Sequence, residues 1–128
     1  MELQKKAKDI SRATKLYSGA RLHPEQATAS DTKVLVFDMA GRKVLTPKRS
    51  LKIRNHSPDG FSWGYGGSGC AQLALAILLD WSDDIELAQR HYQAFKWEFV
   101  SQWGDFWDIY SDEIQEFIDK EESNGNLR

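Results

Sequence analysis

The stretch GFSWGYGGSGCAQLALAILLD, residues 60–80, joins two kinds of sequence without a linker. Its first ten residues contain five glycines, and almost every residue from Ala71 to Leu79 is aliphatic. An uninterrupted aliphatic run of this length is typical of a helix that is buried on most sides. The stretch therefore predicts a glycine-rich loop that leads directly into a buried helix.

The start of this helix is expected at the end of the glycine segment. Ser68 or Gly69 is the predicted N-cap, since residues of these types are favoured there. Gln72 lies three residues after Gly69 and is predicted to reach back to it as in a capping box. A positive φ, which glycine adopts without a steric penalty, is expected at one or more of Gly64, Gly66, Gly67 and Gly69.

The residues before the loop predict a small antiparallel sheet. The basic residues 1–15 have apolar positions at helical spacing and predict a short amphipathic helix, and residues 16–31 are expected to form a turn and loop. Residues 33–46 predict a hairpin around a glycine turn. In KRSLKIR, residues 48–54, apolar and polar residues alternate, which predicts a half-buried strand with a basic outer face formed by Lys48, Ser50, Lys52 and Arg54.

The residues after the buried helix predict two more helices. Apolar residues repeat at spacings of three and four from Ile85 to about Trp103, which indicates a long amphipathic helix, and Ser82 is its expected cap. The aromatic residues up to Tyr110 are expected to link this helix to a final acidic helix over 111–121. The chain is thus predicted to form a single α+β domain over residues 16–121, with a basic segment 1–15 and a tail 122–128.

Composition narrows the class of protein further. Apolar residues make up 41% of the 128 residues, which fits a chain that folds around its own core, and the one cysteine excludes an internal disulfide. No leader-like or membrane-spanning apolar run is present, so a cytoplasmic protein is expected. The first 54 residues carry 13 Lys and Arg against 5 Asp and Glu, whereas the others carry 4 against 14. Two halves of opposite charge can attract each other within one fold. Alternatively, they can present a basic or an acidic surface to a partner.

The glycine loop is the candidate binding site. Backbone N–H groups at a helix start favour an anion, and nearby cations and rings would hold a nucleotide-like ligand. The loop lacks the Lys-Ser/Thr ending of a phosphate-binding P-loop and the acidic residue of a dinucleotide fingerprint. Tight packing of the rings against the helix is the structural alternative. The candidate ligand-binding residues are Lys52, Arg54, Trp63, Tyr65, Gly66, Gly67, Ser68 and Gly69.

Other chemistry finds little support in the sequence. Cys70 is expected to be a buried small side chain rather than a nucleophile, because no base and orienting residue accompany it. The three histidines share no metal-ligand spacing, so neither a metal nor a cofactor is expected. Trp97 lies off the apolar stripe of its helix and is expected to pack on the sheet or the glycine loop, or else to contact a partner.

The chain resembles a family of small uncharacterised bacterial proteins found among phage and mobile-element genes. The resemblance rests on two runs of sequence, RNHSPDGFSWGYGGSGCAQLALAILLD and YQAFKWEFV. The resemblance covers roughly residues 16 to 118. It implies a helix start at Cys70, where the family usually has proline, a residue suited to the first turn of a helix. It also implies a phage or mobile-element setting, but no activity.

The expected function is that of a non-enzymatic binding protein, such as a counter-defence protein that binds a nucleotide-like anion at the glycine loop. One alternative is a protein inhibitor that binds a host protein through an aromatic or charged surface. The other is a single-stranded nucleic-acid binder that uses the basic strand face, which the acidic pI of about 5.9 disfavours. The sequence does not determine the oligomeric state.

Overall fold

The computed structural model describes residues 14–21, 32–58 and 60–126. The strands are β1 (Leu16–Arg21), β2 (Thr32–Asp38), β3 (Gly41–Val44) and β4 (Phe106–Tyr110). The helices are α1 (Lys48–Leu51), α2 (Ser68–Ser82), α3 (Ile85–Glu98) and α4 (Ser111–Asn126), with a 3-10 turn at Val100–Gln102. The strands form one antiparallel sheet in the order β3-β2-β1-β4, so the predicted α+β fold is confirmed. The helix predicted within residues 1–15 lies almost wholly outside the described residues.

Helix α2 is buried on every side, as its aliphatic sequence predicts. Every residue from Gly69 to Leu79 is buried, and the helix packs against both α1 and α3. The predicted cap at Ser68 or Gly69 is wrong, because Gly67 is the N-cap and no side chain caps the helix. Helix α2 ends at Ser82, and Asp83 follows it in the left-handed conformation with a φ of +55°.

Gln72 joins α2 to the segment before the loop and does not form the predicted capping box. Its Oε1 accepts hydrogen bonds from the backbone N–H groups of His56 and Ser57, at 2.7 and 3.0 Å. Its Nε2 donates to Ser50 Oγ and to the carbonyl of Arg54, at 2.7 and 3.1 Å. A fully buried amide thereby satisfies all of its hydrogen-bonding capacity, which is the condition under which such a group is tolerated in a core.

Strand β1 replaces the loop predicted for residues 16–21 and is a central strand of the sheet. It pairs with β2 on one side and with β4 on the other. At its middle lies Gly19, and the indole of Trp107 from β4 covers the space that a side chain at residue 19 would occupy. Glycine is disfavoured in strands, but this close approach of a tryptophan requires it.

Strand β4 occupies part of the segment that was predicted to be a link between helices. Trp107 and Ile109 point into the core, while Phe106, Asp108 and Tyr110 are exposed. The Trp107 ring stacks on Trp103 with centroids 3.7 Å apart and meets Trp63 edge-on at 5.6 Å. These tryptophans therefore anchor the last strand against the glycine loop.

The basic strand predicted for residues 48–54 is wrong. Residues Lys48–Leu51 form the short helix α1, and the chain turns at Lys52 and Ile53. Ser50, expected on the solvent face, is buried, where its hydroxyl donates to the carbonyl of Pro47 and accepts from Gln72. The alternating pattern thus has no sheet to join, and the basic strand face assumed for nucleic-acid binding does not form.

The remaining helices follow the predicted periodicity with different ends. Asp84, not Ser82, caps α3 by accepting from the N–H of Leu87, and α3 ends at Glu98, short of the predicted Trp103. The final helix begins at Ser111 as predicted but continues to Asn126, past its predicted end at Glu121. Both helices place apolar side chains in the single core that also receives α2 and the inner face of the sheet.

Ion pairs connect the basic first half of the chain to the acidic second half. The Asp80 carboxylate accepts from Tyr17 Oη at 2.7 Å and forms ion pairs with Lys43 at 2.6 Å and Lys15 at 3.3 Å. Burial raises the pKa of Asp80, but these neighbours outweigh it and hold the pKa below its usual value. Burial next to Asp80 raises the pKa of Tyr17, so the phenol remains a donor at any physiological pH.

Replacing Gly19 with alanine should destabilise the protein, because the new methyl group would overlap the indole of Trp107. Overpacking of this kind costs about 1 to 3 kcal/mol. Denaturant unfolding of Gly19→Ala and of Gly104→Ala measures the effect. An alanine at Gly104 has no atom within 4 Å, so this control should unfold like the parent. Equal stability of the two variants would contradict the proposed role of Gly19.

Asp80→Asn should lower the free energy of unfolding at neutral pH by about 1 to 3 kcal/mol, since it removes charge-assisted hydrogen bonds. Because the folded pKa of Asp80 lies below the unfolded value of about 4, its stabilisation is complete above that value and is lost as the pH falls through the folded pKa. The difference between the two proteins should therefore shrink in acid.

The matched control is Asp83→Asn, which alters an exposed carboxylate that pairs with Arg49. Exposed pairs contribute little, and asparagine tolerates the left-handed conformation of this residue. Its unfolding free energy should stay within about 0.5 kcal/mol of the parent. A pH-independent deficit in Asp80→Asn would argue against the ion-pair explanation.

Candidate functional site: the glycine loop and its aromatic rim

The glycine loop turns sharply at Gly64. This residue has a φ of +90°, which confirms the positive φ expected among the loop glycines. Its N–H donates to the carbonyl of Val100 at 3.0 Å, and a Cβ at this position would lie 3.0 Å from the carbonyl oxygen of Trp103. The bend therefore depends both on the conformation and on the small size of glycine. It directs the following residues outward at the start of α2.

Two exposed rings lie against the glycines that follow the bend. The Trp97 indole, from the last turn of α3, covers Gly66, and the Tyr65 ring folds over Gly67, so a side chain at either glycine would collide with a ring. Trp97 thus packs on the loop as predicted. Nevertheless, 59% of Trp97 and 54% of Tyr65 remain accessible to water.

Lys96 brings a positive charge to the same place. Its ammonium donates to the carbonyl of Gly66 at 3.3 Å and lies 4.4 Å from the centroid of the Trp97 ring. Only 7% of this lysine is exposed, so the charge is held close to the loop. The sequence did not identify it, because spacing along α3 cannot tell which loop the helix contacts.

The first turn of α2 completes the site. With Gly67 as N-cap and no capping side chain, the backbone N–H groups of Ser68 and Gly69 have no acceptor within the helix. Ser68 is exposed, whereas Gly69 is buried against Ser62 and is therefore not accessible to a ligand. Cys70 is fully buried in this turn, and burial raises the pKa of its thiol despite backbone hydrogen bonds from Tyr65 and Gly67. The prediction that Cys70 is a buried small side chain is confirmed.

Trp63 belongs to the core rather than to the exposed rim. Only 1% of it is accessible, and its Nε1 donates to the carbonyl of Gly104 at 2.7 Å. Arg21 lies over its ring at 4.8 Å and donates to its carbonyl at 2.9 Å. Of the two aromatic residues predicted to bind a ligand, Tyr65 alone presents its ring to water.

Lys52 and Arg54 are exposed residues of the turn that follows α1. Gln72 binds the carbonyl of Arg54, which places the Arg54 backbone beside the second turn of α2. The charge that contacts the loop directly is instead that of Lys96. The structure therefore brings together Tyr65, Gly66, Gly67, Ser68 and Gly69, and adds Lys96 and Trp97 to them.

Histidines take part in two polar contacts away from the loop. The imidazole Nε2 of His56 lies 2.8 Å from the hydroxyl of Tyr92, and His91 Nε2 lies 3.2 Å from a Glu122 carboxylate oxygen that also pairs with Arg90. Within the described ranges, no three His, Cys, Asp or Glu side chains are grouped to hold a metal ion. None of the helices in that part of the chain combines the length and apolar character needed to cross a bilayer.

The fold and the loop define a small α+β protein in which a glycine bend opens a fully buried helix. The chain belongs to the family of unknown function DUF6166, which matches residues 17–120. The matched region contains the glycine loop, α2 and α3, the segments on which the resemblance rested. No curated protein and no solved structure matches the chain.

The Cys70 thiol should resist modification in the folded protein, because it is buried and its pKa is raised. An aromatic disulfide reagent at neutral pH should label it at the rate at which the protein unfolds and label it at once in denaturant. Cys70→Ser should fold and bind ligands like the parent. Rapid labelling of the folded protein would contradict the buried, inert role.

Proposed function

We propose that this protein is a non-enzymatic binding protein that holds a nucleotide-like anionic ligand at the glycine loop. The observation that carries the proposal is the position of Tyr65 and Trp97, whose exposed rings lie against the glycines at the uncapped start of α2. Lys96 adds a positive charge at the same loop. Aromatic rings, a backbone N–H at a helix start, such as that of the exposed Ser68, and a cation are groups that bind a base and its phosphate.

Aromatic rings that are already exposed before the ligand arrives favour the binding of a base. Stacking of one base on an aromatic side chain contributes about 1 to 3 kcal/mol, measured as the loss on alanine substitution. Tyr65 and Trp97 lose little by exchanging water for such a base, and their contacts with Gly66 and Gly67 restrict their motion. The partial positive charge of the helix start favours a phosphate beside them.

The non-enzymatic part of the proposal is supported by Cys70. This residue offers the one thiol of the chain at the site, and it is inaccessible with a raised pKa. A nucleophilic role would need a thiolate in contact with the ligand. The groups that do face outward are suited to binding.

The test is calorimetric titration of the protein with AMP, ATP, a cyclic dinucleotide and inorganic phosphate. At least one nucleotide should bind, and Trp97→Ala or Tyr65→Ala should weaken its binding about tenfold or more, as the loss of one stacking contact implies. Phe106→Ala is the matched control, because it removes an exposed ring from β4 and should leave affinity unchanged. Failure of all four probes to bind, or equal losses in all three variants, would sink the proposal.

Charge is tested in the same titration. Lys96→Gln should weaken the binding of an anion because it removes the positive charge held at the loop. Since only 7% of Lys96 is exposed, salt should screen this contribution less than that of an exposed charge. The double variant Lys52→Ala with Arg54→Ala asks whether the turn after α1 also contributes. A loss in Lys96→Gln without one in the double variant would restrict the site to the loop.

The second candidate is a protein inhibitor that binds a host protein through the same rim. Exposed tyrosine and tryptophan side chains are the types that dominate protein interfaces, and Tyr65 and Trp97 present two of them together. Under this alternative, Trp97→Ala abolishes capture of the host protein although no nucleotide binds the parent.

The proposed setting is a phage or mobile element acting against host defence in the bacterial cytoplasm. It rests on the resemblance of the loop and of the later FKWE run to bacterial and phage proteins. Expression in a host with an active defence should restore phage growth, and Trp97→Ala should remove the effect. Unchanged phage growth across a panel of defended hosts would refute this setting.

A further inference from the structure

Within the described residues, the helices pack on one face of the sheet and leave the other face uncovered. In β1, β2 and β4, alternate residues such as Tyr17, Val36 and Ile109 point toward α2, and the residues between them point away. Six of the outward positions hold large apolar side chains: Leu16, Leu35, Phe37, Val44, Phe106 and Tyr110. The other outward positions hold Ser18, Ala20, Lys33, Arg42 and Asp108. Three of the apolar side chains are more than half exposed, with Phe106 at 72%.

Such a face is unusual for a protein that acts alone. An antiparallel sheet with one solvated side normally alternates apolar inside with polar outside, whereas here apolar residues occupy both sides of β2. Contiguous exposed apolar surface marks a site of interaction. We propose that this outer face of the sheet docks against the same face of a second copy of the chain.

Charge placement favours a second copy over an unrelated partner. The register places Tyr110, Leu16, Phe37 and Arg42 in one row across the sheet, with Arg42 at the β3 edge and Tyr110 at the β4 edge. Asp108 lies in the neighbouring row on β4. One edge of the face is therefore basic and the other is aromatic and acidic, so the face is complementary to itself.

The two copies make use of this complementarity when they are related by a two-fold axis that lies between their sheets and runs parallel to the strands. This axis places β4 of each copy over β3 of the other, so that Tyr110 faces Arg42 across the interface and Asp108 lies one row away. Aligned packing of two sheets also brings their apolar centres together at a spacing of about 10 Å. Neither Arg42 nor Asp108 has an ion-pair partner within the described part of the chain.

The size of the face sets the expected strength. Four strands about 4.8 Å apart and five residues of about 3.4 Å each give a face of roughly 19 by 17 Å. Two such faces together have an area of roughly 650 Å², which is below the roughly 1,200 Å² that stable interfaces bury and matches a weak, transient contact. We therefore expect reversible association, with monomer and dimer exchanging at micromolar to submillimolar concentrations.

The test is sedimentation of the full chain over that concentration range. The parent should shift from monomer to dimer, and Phe106→Glu should remain monomeric. Ile85→Glu is the control, because it places the same charge on another half-exposed apolar residue at a helix start that tolerates acid. It should dimerise like the parent.

Charge exchange tests the orientation and does not depend on Phe106→Glu folding. Arg42→Glu and Asp108→Arg should each weaken the dimer about tenfold, and the double variant should restore most of the loss. A parent that is monomeric at every concentration overturns the proposal. If Phe106→Glu then unfolds more easily, another part of the chain covers the face; if its stability is unchanged, the face is open to a different protein.

Discussion

Helix α2 has no side that water reaches between Gly69 and Leu79, and this constraint organises the rest of the fold. The sheet covers it from one direction, where Tyr17 and Lys43 reach Asp80 near its end. Helices α1 and α3 pack against it from others, and Gln72 ties it to the segment before the loop. Because the helix is enclosed in this way, the chain must turn sharply just before it and just after it. The glycine bend at its start and the left-handed Asp83 at its end meet that requirement.

The opposite charges of the two halves of the chain serve the same enclosure. Four cations of the first half, Lys15, Arg21, Lys43 and Arg49, pair with three acids of the second, Asp80, Asp83 and Asp105. These pairs connect β1, β3 and α1 to α2 and to the start of β4, and the exposed pair between Arg49 and Asp83 contributes little to stability. Four of the thirteen Lys and Arg residues of the first half are therefore paired within the fold.

Packing and exposure coexist at the glycine loop. Trp63 and Cys70 are committed to the core, and Gly64 is required by the bend. Tyr65 and Trp97 also pack on glycines, yet more than half of each remains in water. Packing thus accounts for Trp63, Cys70 and Gly64, whereas the proposed ligand-binding role rests on Tyr65 and Trp97. The outer face of the sheet also exposes apolar side chains, among them Val44, Phe106 and Tyr110. Because these side chains lie on a sheet, they form a flat surface of the kind that packs against another protein.

The local sequence pattern by itself determined those helices and strands whose own residues specify their conformation and burial. The aliphatic run predicted α2, the turn residues predicted the hairpin of β2 and β3, and helical spacing predicted most of α3. Ser111 and the acidic residues that follow it predicted the start of α4. Strand β1 could not be predicted, because Ser18, Gly19 and Ala20 have weak strand preference and gain their structure from pairing on both sides. Alternation in residues 48–54 fits a strand, but with no strand available to pair, the segment forms α1. Lys96 lies at the candidate site only because α3 packs against the glycine loop. These outcomes depend on contacts between residues far apart in the chain, which no local pattern records.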